Sequence, residues 1–255
     1  MGKNKLKKFA EIEQLNCVLQ YPRERLLKEG FPLKGKWNDE FFEKEAPITV
    51  ELGCGKGEYT VALAKANDEA NFVGVDIKGA RLWSGAKEIA SSGLKNAAFL
   101  RTEIENICEF FGPGEIDEIW ITFPDPQMQK TRKRLTSSRF LLLYGKILKP
   151  GGIINLKTDS PFLYEYTGRM VKENGYKILA DTDDLYGSGM ADPVTAIKTF
   201  YESQWLSRGK KIKFLSFIPS FEKDPKEPFA DDIPKDDYRA YSRHTPTTNL
   251  TTSEL

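Results

Sequence analysis

A strand that ends in alternating glycines constrains the fold of this chain more than any other feature. The predicted strand, Ile48–Leu52, is largely apolar and runs directly into Gly53, Gly55 and Gly57. Glycines at such a turn let the backbone reverse sharply, and they let a ligand approach with no Cβ in the way. This segment therefore predicts the first strand, turn and helix of a ligand-binding α/β sheet.

The alternation of apolar strands and helices continues along the chain. Strands are predicted at 48–52, 71–77, 97–101, 116–123, 153–157, 176–180 and 212–217. Helices are predicted at 58–65, 80–91, 104–110, 138–148 and 162–173. Strands that alternate with helices at this spacing are typical of a doubly wound, mainly parallel sheet with helices on both faces.

Changes in composition divide the chain into three segments. Residues 1–46 form a basic and amphipathic N-terminal arm that is predicted to cover the main domain. Residues 47–219 carry the strand and helix pattern and form the predicted catalytic domain. Residues 220–255 are acidic and rich in Pro, Asp, Ser and Thr, so we predict that much of this tail is disordered.

The rarity of cysteine and histidine excludes several kinds of site. Cys17, Cys54 and Cys108 are far apart in sequence, and His244 is the single histidine, so we expect neither a metal site nor a Cys/His nucleophile. No apolar stretch is long enough to cross a membrane, and the N-terminus lacks the apolar core of a signal peptide. These features predict a reduced, cytoplasmic protein that needs no membrane.

Acidic residues beside the glycines indicate which cofactor binds there. Glu51 would repel a pyrophosphate but would suit a ligand with an ammonium or sulfonium group. Asp76 closes the second strand, where a carboxylate can accept both ribose hydroxyls of an adenosine. Together they favour S-adenosylmethionine over a nicotinamide cofactor. Glu103 follows the third strand, where such folds hold the adenine amino group; a carboxylate at a helix N-terminus explains it almost as well.

A rigid acidic corner follows the fourth predicted strand. Asp125 lies between Pro124 and Pro126, which fix φ and remove backbone donors. Residues 127–149 then contain seven Lys and Arg and no carboxylate, although the formal net charge of the whole chain is only +1. A carboxylate at the carboxyl end of a strand, followed by a block of cations, predicts chemistry on a polyanion.

Four ordered motifs between residues 48 and 219 resemble the bacterial tRNA (guanine-N7)-methyltransferase family. They are the glycine turn, the Phe-Pro-Asp-Pro corner at 123–126 with its basic continuation, Lys-Thr-Asp at 157–159 and Thr-Phe-Tyr-Glu at 199–202. The resemblance implies a Rossmann-like class I methyltransferase with a seven-stranded sheet whose last strand is antiparallel. It also implies tRNA as the partner of a monomer or homodimer, and methyl transfer to a guanine in the variable loop.

The resemblance also assigns roles to individual residues. It implies a cofactor pocket lined by Glu51, Gly53, Gly55, Gly57, Asp76, Glu103 and Asp125, with Asp125 also catalytic. It implies guanine binding by Gln129 or Lys130 together with Asp159, Thr199, Phe200, Tyr201 and Glu202. It implies RNA contacts by Lys130, Arg132, Lys133, Arg134 and Arg139. The chain departs from the family at Gln129, where the family usually has a lysine; here Lys130 is the next residue.

The chemistry of the acceptor fits the residues present. Guanine N7 carries a lone pair and no proton, so methyl transfer needs positioning and charge stabilisation more than a strong base. A methyltransferase for another base or a small molecule, and a non-catalytic RNA-binding module, remain alternatives, since fold does not fix function. Asp159 can also be read as part of a helix start signal, and Thr199 and Glu202 as the exposed face of a short helix.

Overall fold

A single eight-stranded sheet organises the chain. The structure is a computed structural model that describes residues 3–236. The strands are β1 (Val18–Gln20), β2 (Ile48–Leu52), β3 (Asn71–Val75), β4 (Ala97–Arg101), β5 (Ile116–Thr122), β6 (Leu148–Thr158), β7 (Lys177–Thr182) and β8 (Lys213–Ile218). They lie in the order β1-β4-β3-β2-β5-β6-β8-β7. β8 is antiparallel to both of its neighbours, and the other pairs are parallel.

Helices connect these strands. They are α1 (Lys3–Ile12), α2 (Arg23–Glu29), α3 (Glu58–Ala66), α4 (Gly79–Ser92), α5 (Ser138–Tyr144), α6 (Pro161–Glu173) and α7 (Phe200–Leu206). A π-helical turn spans Trp37–Phe42, and 3₁₀ helices span Ile104–Glu109 and Thr131–Lys133. The predicted helix at 138–148 ends early, because β6 already begins at Leu148 to pair with Ile116.

The strand order reverses between β2 and β5. β2 continues to β3 on one side, whereas β5 pairs with β2 on the other, with Leu52 opposite Ile121. The carboxyl ends of these two strands therefore lie side by side at the topological switch point, where ligands bind in open α/β sheets. The glycine turn follows β2 and the Asp125 corner follows β5, so the topology brings the two most informative sequence features together.

Apolar side chains cover both faces of the sheet. On one face, Phe140 of α5 and Tyr166 of α6 pack with the strands in a single buried cluster. On the other face, Tyr59 of α3, Leu82 of α4 and Trp205 of α7 belong to a second cluster. This arrangement confirms the predicted Rossmann-like α/β fold with helices on both faces.

The N-terminal arm adds an eighth strand to the seven that were predicted. Val18–Gln20 pairs in parallel with Phe99–Arg101, and the Phe99 amide donates to the Cys17 carbonyl at 2.7 Å. The strand has only three residues, too few for a period-two pattern to reveal it in the sequence. The arm also shares the core: Trp37 is fully buried, and its indole N–H donates to the Phe110 carbonyl at 2.9 Å.

The segment 221–236, called the C-terminal strap below, lies on the α5–α6 face. Ile233 is buried in the core cluster of that face, and Glu227 accepts from the Ser138 amide at 3.1 Å. These anchors hold residues 221–236 on the sheet, although the polar composition of the tail predicts disorder for much of it. Residues 237–255 lie outside the described part of the chain. Across residues 3–236, every helix is too short or too polar to cross a membrane.

Candidate active site

The glycine turn has the backbone that its sequence predicts. Gly53, Gly55 and Gly57 all have positive φ, at 76°, 59° and 74°. A Cβ on Gly57 would lie 2.2 Å from the Phe99 ring, so packing as well as conformation requires glycine there. Cβ atoms on Gly53 and Gly55 would meet nothing within 4 Å. The turn thus presents bare backbone to open space, which is the surface that a close-fitting ligand needs.

Glu51 lies beneath this turn and is almost completely buried. Its carboxylate accepts from the Thr60 amide at 2.9 Å, from the Thr60 hydroxyl and from the Thr122 hydroxyl at 2.6 Å. Burial raises the pKa of Glu51 to about 7, although these hydrogen bonds oppose the shift. Both oxygens are thus engaged by the protein, and Glu51 joins β2 to α3 and β5 rather than facing outward.

Asp76 connects the glycine turn to the helix after β3. Its carboxylate accepts from the Gly55 amide at 3.0 Å and from the Lys78 amide at 2.7 Å. The predicted adenosine-binding acid is thereby brought to the glycine turn. Glu103 is exposed where β4 ends, and its side chain makes no capping bond to the following 3₁₀ helix. Glu103 is nevertheless the N-cap residue of that helix, so the alternative of a carboxylate at a helix N-terminus agrees with its position.

The Asp125 corner has an unusual backbone. Phe123 and Gln127, on either side of the two prolines, have positive φ values of 47° and 48°. Such values are rare for bulky residues and persist only where the surroundings impose them, often at functional sites. The Phe123 amide donates to the Lys157 carbonyl, and the Gln127 amide donates to Asp125 Oδ1 at 3.0 Å. Asp125 itself is exposed, so its carboxylate is held in place at the surface of the switch point.

A buried ion pair lies behind this corner. Lys157 at the end of β6 and Glu202 in α7 have fully buried side chains 2.9 Å apart. Lys157 also donates to the carbonyls of Thr195 and Ile197, and the Tyr186 hydroxyl donates to Glu202 at 2.6 Å. Burial lowers the pKa of Lys157, while Glu202 opposes that shift. The pair clamps the segment before α7 onto the sheet.

This arrangement shows how two of the residues predicted to hold guanine are placed. Glu202 was expected to hold guanine, but it is fully buried and engaged by Lys157 and Tyr186. Thr199 is the N-cap of α7 and accepts from the Glu202 amide at 3.1 Å. Both residues therefore position their segment. The predicted exposed helix face is likewise wrong for Glu202.

The aromatic residues of the same segment lie closer to the surface. Phe200 is 58% exposed, and its ring lies 4.6 Å from the Lys56 ammonium of the glycine turn. The Tyr201 ring contacts the Phe123 ring edge-on, with centroids 5.7 Å apart. The segment thus reaches both the glycine turn and the Asp125 corner.

Lys157 is a functional residue that the sequence reasoning missed. It is the first residue of the Lys-Thr-Asp motif, but the motif alone predicts no role for it. A signal was present, because a lysine directly after the mainly apolar strand segment Ile153–Leu156 requires a buried partner. The sequence does not show which carboxylate provides it, since Glu202 is 45 positions away.

Asp159 lies close to this clamp, just after β6. It is mostly buried, and burial raises its pKa to about 6, with Asp236 adding to the shift and Lys213 opposing it. The cap of α6 is Ser160, whose hydroxyl accepts from the Leu163 amide at 2.9 Å. Asp159 directly precedes this cap, as its interpretation as part of a helix start signal expects, and it stays a candidate for substrate binding.

The basic run after Pro126 divides into exposed and buried cations. Gln129, Lys130, Arg132 and Lys133 are exposed, and Arg139 is partly exposed with a guanidinium bond to the Arg132 carbonyl. Arg134 is only 3% exposed. Its predicted RNA contact is therefore wrong, because a buried guanidinium does not reach a phosphate.

Comparison with known proteins places this geometry in a family. Residues 45–215 match the family described as putative methyltransferase. The tRNA (guanine-N(7)-)-methyltransferase of Bacteroides fragilis is 51% identical over 243 residues, covering 95% of this chain and 96% of the relative. The enzyme of the same name from Porphyromonas gingivalis is 54% identical over 236 residues, covering 91% and 96%. The chain belongs to the tRNA (guanine-N(7)-)-methyltransferase family.

Solved structures with low sequence identity share the fold. The 16S rRNA methyltransferase KamB has a TM-score of 0.56 at 16% identity and covers 71% of this chain and 92% of its own. The 16S rRNA (adenine(1408)-N(1))-methyltransferase of Catenulisporales acidiphilia has a TM-score of 0.52 at 18% identity, covering 74% and 93%. Within residues 3–236 no group of three or more His, Cys, Asp or Glu is arranged to hold a metal ion.

The buried position of Glu51 predicts a pH-dependent stability. Glu51→Gln keeps an acceptor for Thr60 and offers a donor to Thr122, so we expect it to fold. Because the folded protein raises the pKa of Glu51 from 4.5 to about 7, the stabilisation is complete below pH 4.5 and is lost as the pH rises to 7. The wild-type free energy of unfolding should therefore fall by roughly 2–4 kcal/mol more than that of the variant between these values. Equal pH profiles from urea unfolding would contradict this assignment.

The buried pair predicts a non-additive mutational pattern. Lys157→Met leaves Glu202 buried without its counter-charge, so it should cost about 3–5 kcal/mol in urea unfolding. Lys157→Met combined with Glu202→Leu should cost less than Lys157→Met alone. Lys65→Met is the matched control: it breaks the exposed Lys65–Glu88 pair and should cost about 1 kcal/mol or less. A double variant that costs as much as Lys157→Met alone, or more, would contradict the coupling of the pair.

Proposed function

We propose that this protein transfers the methyl group of S-adenosylmethionine to N7 of a guanine in the variable loop of tRNA. The observation that carries the proposal is the placement of the Asp125 corner beside the glycine turn, across the switch point between β2 and β5. The relatives that share most of the chain length are named for this reaction. The cytoplasm, where tRNA is available, is the proposed location.

The residues at the glycine turn fit the proposed cofactor. The open space over Gly53 and Gly55 admits a ligand, and Asp76 lies at that turn with a carboxylate suited to the ribose hydroxyls. Glu103, exposed at the end of β4, is proposed to accept from the adenine amino group. When bound, S-adenosylmethionine supplies an electrophilic methyl group on a sulfonium. Glu51 supports this site from below by fixing the start of α3.

The remaining residues bind and orient the guanine. Asp125 is exposed next to the cofactor site, and its negative charge stabilises the positive charge that the ring gains when N7 is alkylated. Asp159 is proposed to accept from N1–H or the exocyclic amine, which selects guanine over adenine. No side chain needs to remove a proton, because N7 carries none. Phe200 beside the glycine turn and Tyr201 against the Phe123 ring provide aromatic surface for the base.

The exposed cations after the corner are proposed to bind the RNA backbone. Lys130, Arg132, Lys133 and Arg139 lie within 14 positions of Asp125 and have at least partly exposed side chains. Phosphate contacts of this type position the substrate without reading its sequence. Gln129 is exposed in the same turn, and it or Lys130 is proposed to take the place of the family's lysine.

Loss of the Asp125 charge tests the proposed reaction. Asp125→Asn should lower the methylation rate at saturating tRNA by roughly 100-fold, since the electrostatic stabilisation is lost. The assay uses labelled S-adenosylmethionine and an unmodified tRNA transcript, and the product is mapped to the nucleotide. Asp68→Asn, at an exposed carboxylate distant in sequence, is the control. Label on an exocyclic amine, or no label on any tRNA with the wild type, would refute the proposed function.

The exposed cations predict salt-dependent affinity. Arg132→Ala with Lys133→Ala should weaken tRNA binding and lower the slope of log Kd against log salt by roughly 1–2. Lys87→Ala, an exposed lysine of α4, should change neither quantity by a comparable amount. An unchanged slope would show that Arg132 and Lys133 do not contact the RNA backbone.

A further inference from the structure

Arg134 is a buried cation in a run of otherwise exposed ones. Its guanidinium lies against two aromatic rings of α6, with its carbon 4.8 Å from the Phe162 centroid and 4.5 Å from the Tyr166 centroid. Its Nη1 is buried without a hydrogen-bond partner among residues 3–236. Burying a guanidinium without a direct carboxylate is costly. A function for its geometry is therefore expected.

The other two nitrogens of Arg134 point at the backbone that follows Asp125. Nε donates to the Gln127 carbonyl at 3.2 Å, and Nη2 donates to the Met128 carbonyl at 2.8 Å. Gln127 has positive φ, and its own amide donates to Asp125 Oδ1. Arg134 thus holds the carbonyl of the residue whose N–H holds the Asp125 carboxylate. The chain of contacts runs from the rings of α6 to Asp125.

The C-terminal strap closes this arrangement from behind. The Tyr166 hydroxyl donates to Glu227, and the same carboxylate accepts from the Ser138 hydroxyl at 2.7 Å. Further along the strap, the Asp236 carboxylate accepts from the Phe162 amide at 2.9 Å, and the Asp236 amide lies 3.1 Å from the Met128 sulfur. The strap therefore contacts both the ring pair that holds Arg134 and the turn that Arg134 holds.

We propose that Arg134 is a positioning residue that orients Asp125 through the backbone of Gln127, with the ring pair and the C-terminal strap fixing the guanidinium. This inference rests on the proposed function, in which Asp125 acts on the guanine. It assigns to the strap a part in the active site. A lysine cannot replace Arg134 here, because only a planar guanidinium stacks on rings while it donates two N–H bonds in fixed directions.

Arg134→Lys keeps the positive charge and removes the planar guanidinium that donates to the carbonyls of Gln127 and Met128. We expect kcat to fall at least about 10-fold, because a misplaced reacting group costs rate strongly. The Kd for tRNA and its salt slope should stay within about twofold, since the buried cation contacts no phosphate. Arg25→Lys, at an exposed guanidinium of α2 that lies over the Tyr21 ring, is the matched control and should leave kcat within about twofold. A lower salt slope with unchanged kcat would overturn the proposal and restore Arg134 as an RNA contact.

A second measurement needs no methylation activity. Hydrogen exchange of the Gln127 amide should be at least about 10-fold faster in Arg134→Lys, because its bond to Asp125 loses support. Tyr166→Phe keeps the ring and removes the hydrogen bond to Glu227, so exchange of the Gln127 amide should be faster by a smaller factor. If Arg134→Lys does not fold, the exchange measured in Tyr166→Phe tests the proposal. Unchanged exchange in the folded variants would overturn the proposal. If the wild type methylates no tRNA but the Gln127 amide still exchanges faster in the variants, the proposed function is refuted and the positioning role of Arg134 stands.

Discussion

The hydrogen bonds of Glu51 determine how the two halves of the site meet. One carboxylate joins the end of β2, the first turn of α3 through Thr60, and the end of β5 through Thr122. The glycine turn and the Asp125 corner follow these strands directly, so this buried group reinforces the strand pairing that sets their relative position. Its pKa is raised because it is fully enclosed. Glu51 is thus buried, at a cost in desolvation, where the strand order reverses. Its hydrogen bonds there support the turns after β2 and β5.

The buried Lys157–Glu202 pair independently fixes the side of the site that is proposed to bind the substrate. Lys157 lies near the end of β6, the strand next to β5, and Glu202 lies in α7, so their pairing brings a distant segment to the same edge of the sheet. The exposed Phe200 and the ring contact of Tyr201 with Phe123 depend on that clamp. The sides of the site proposed for cofactor and for substrate are thus each held by a buried ionisable group, while Glu103, Asp125 and the cations after the corner stay accessible.

The fold and the site differ in how far the sequence predicts them. Period-two and period-3.6 patterns are local, so the seven strands and most helices were predicted to within a few residues. Contacts between distant segments leave no local pattern: the short β1 strand, the partner of Lys157 and the anchoring of the strap by Glu227 all depend on tertiary pairing. The strap illustrates this, since a polar, proline-rich composition indicated disorder where a few specific contacts suffice for order.

The basic run after Pro126 shows the same limit of prediction from sequence, here among residues that are adjacent in the chain. In sequence, Arg132, Lys133 and Arg134 are equivalent cations, and a count of charge predicts RNA contact for all three. The Thr131–Lys133 turn separates them, because the chain leaves it with Arg134 directed at the Phe162 and Tyr166 rings. A corner with positive φ at Phe123 and Gln127 requires support from outside itself. Placing one arginine of the basic run inward supplies that support, and it couples the shape of the corner to the segment proposed to bind RNA.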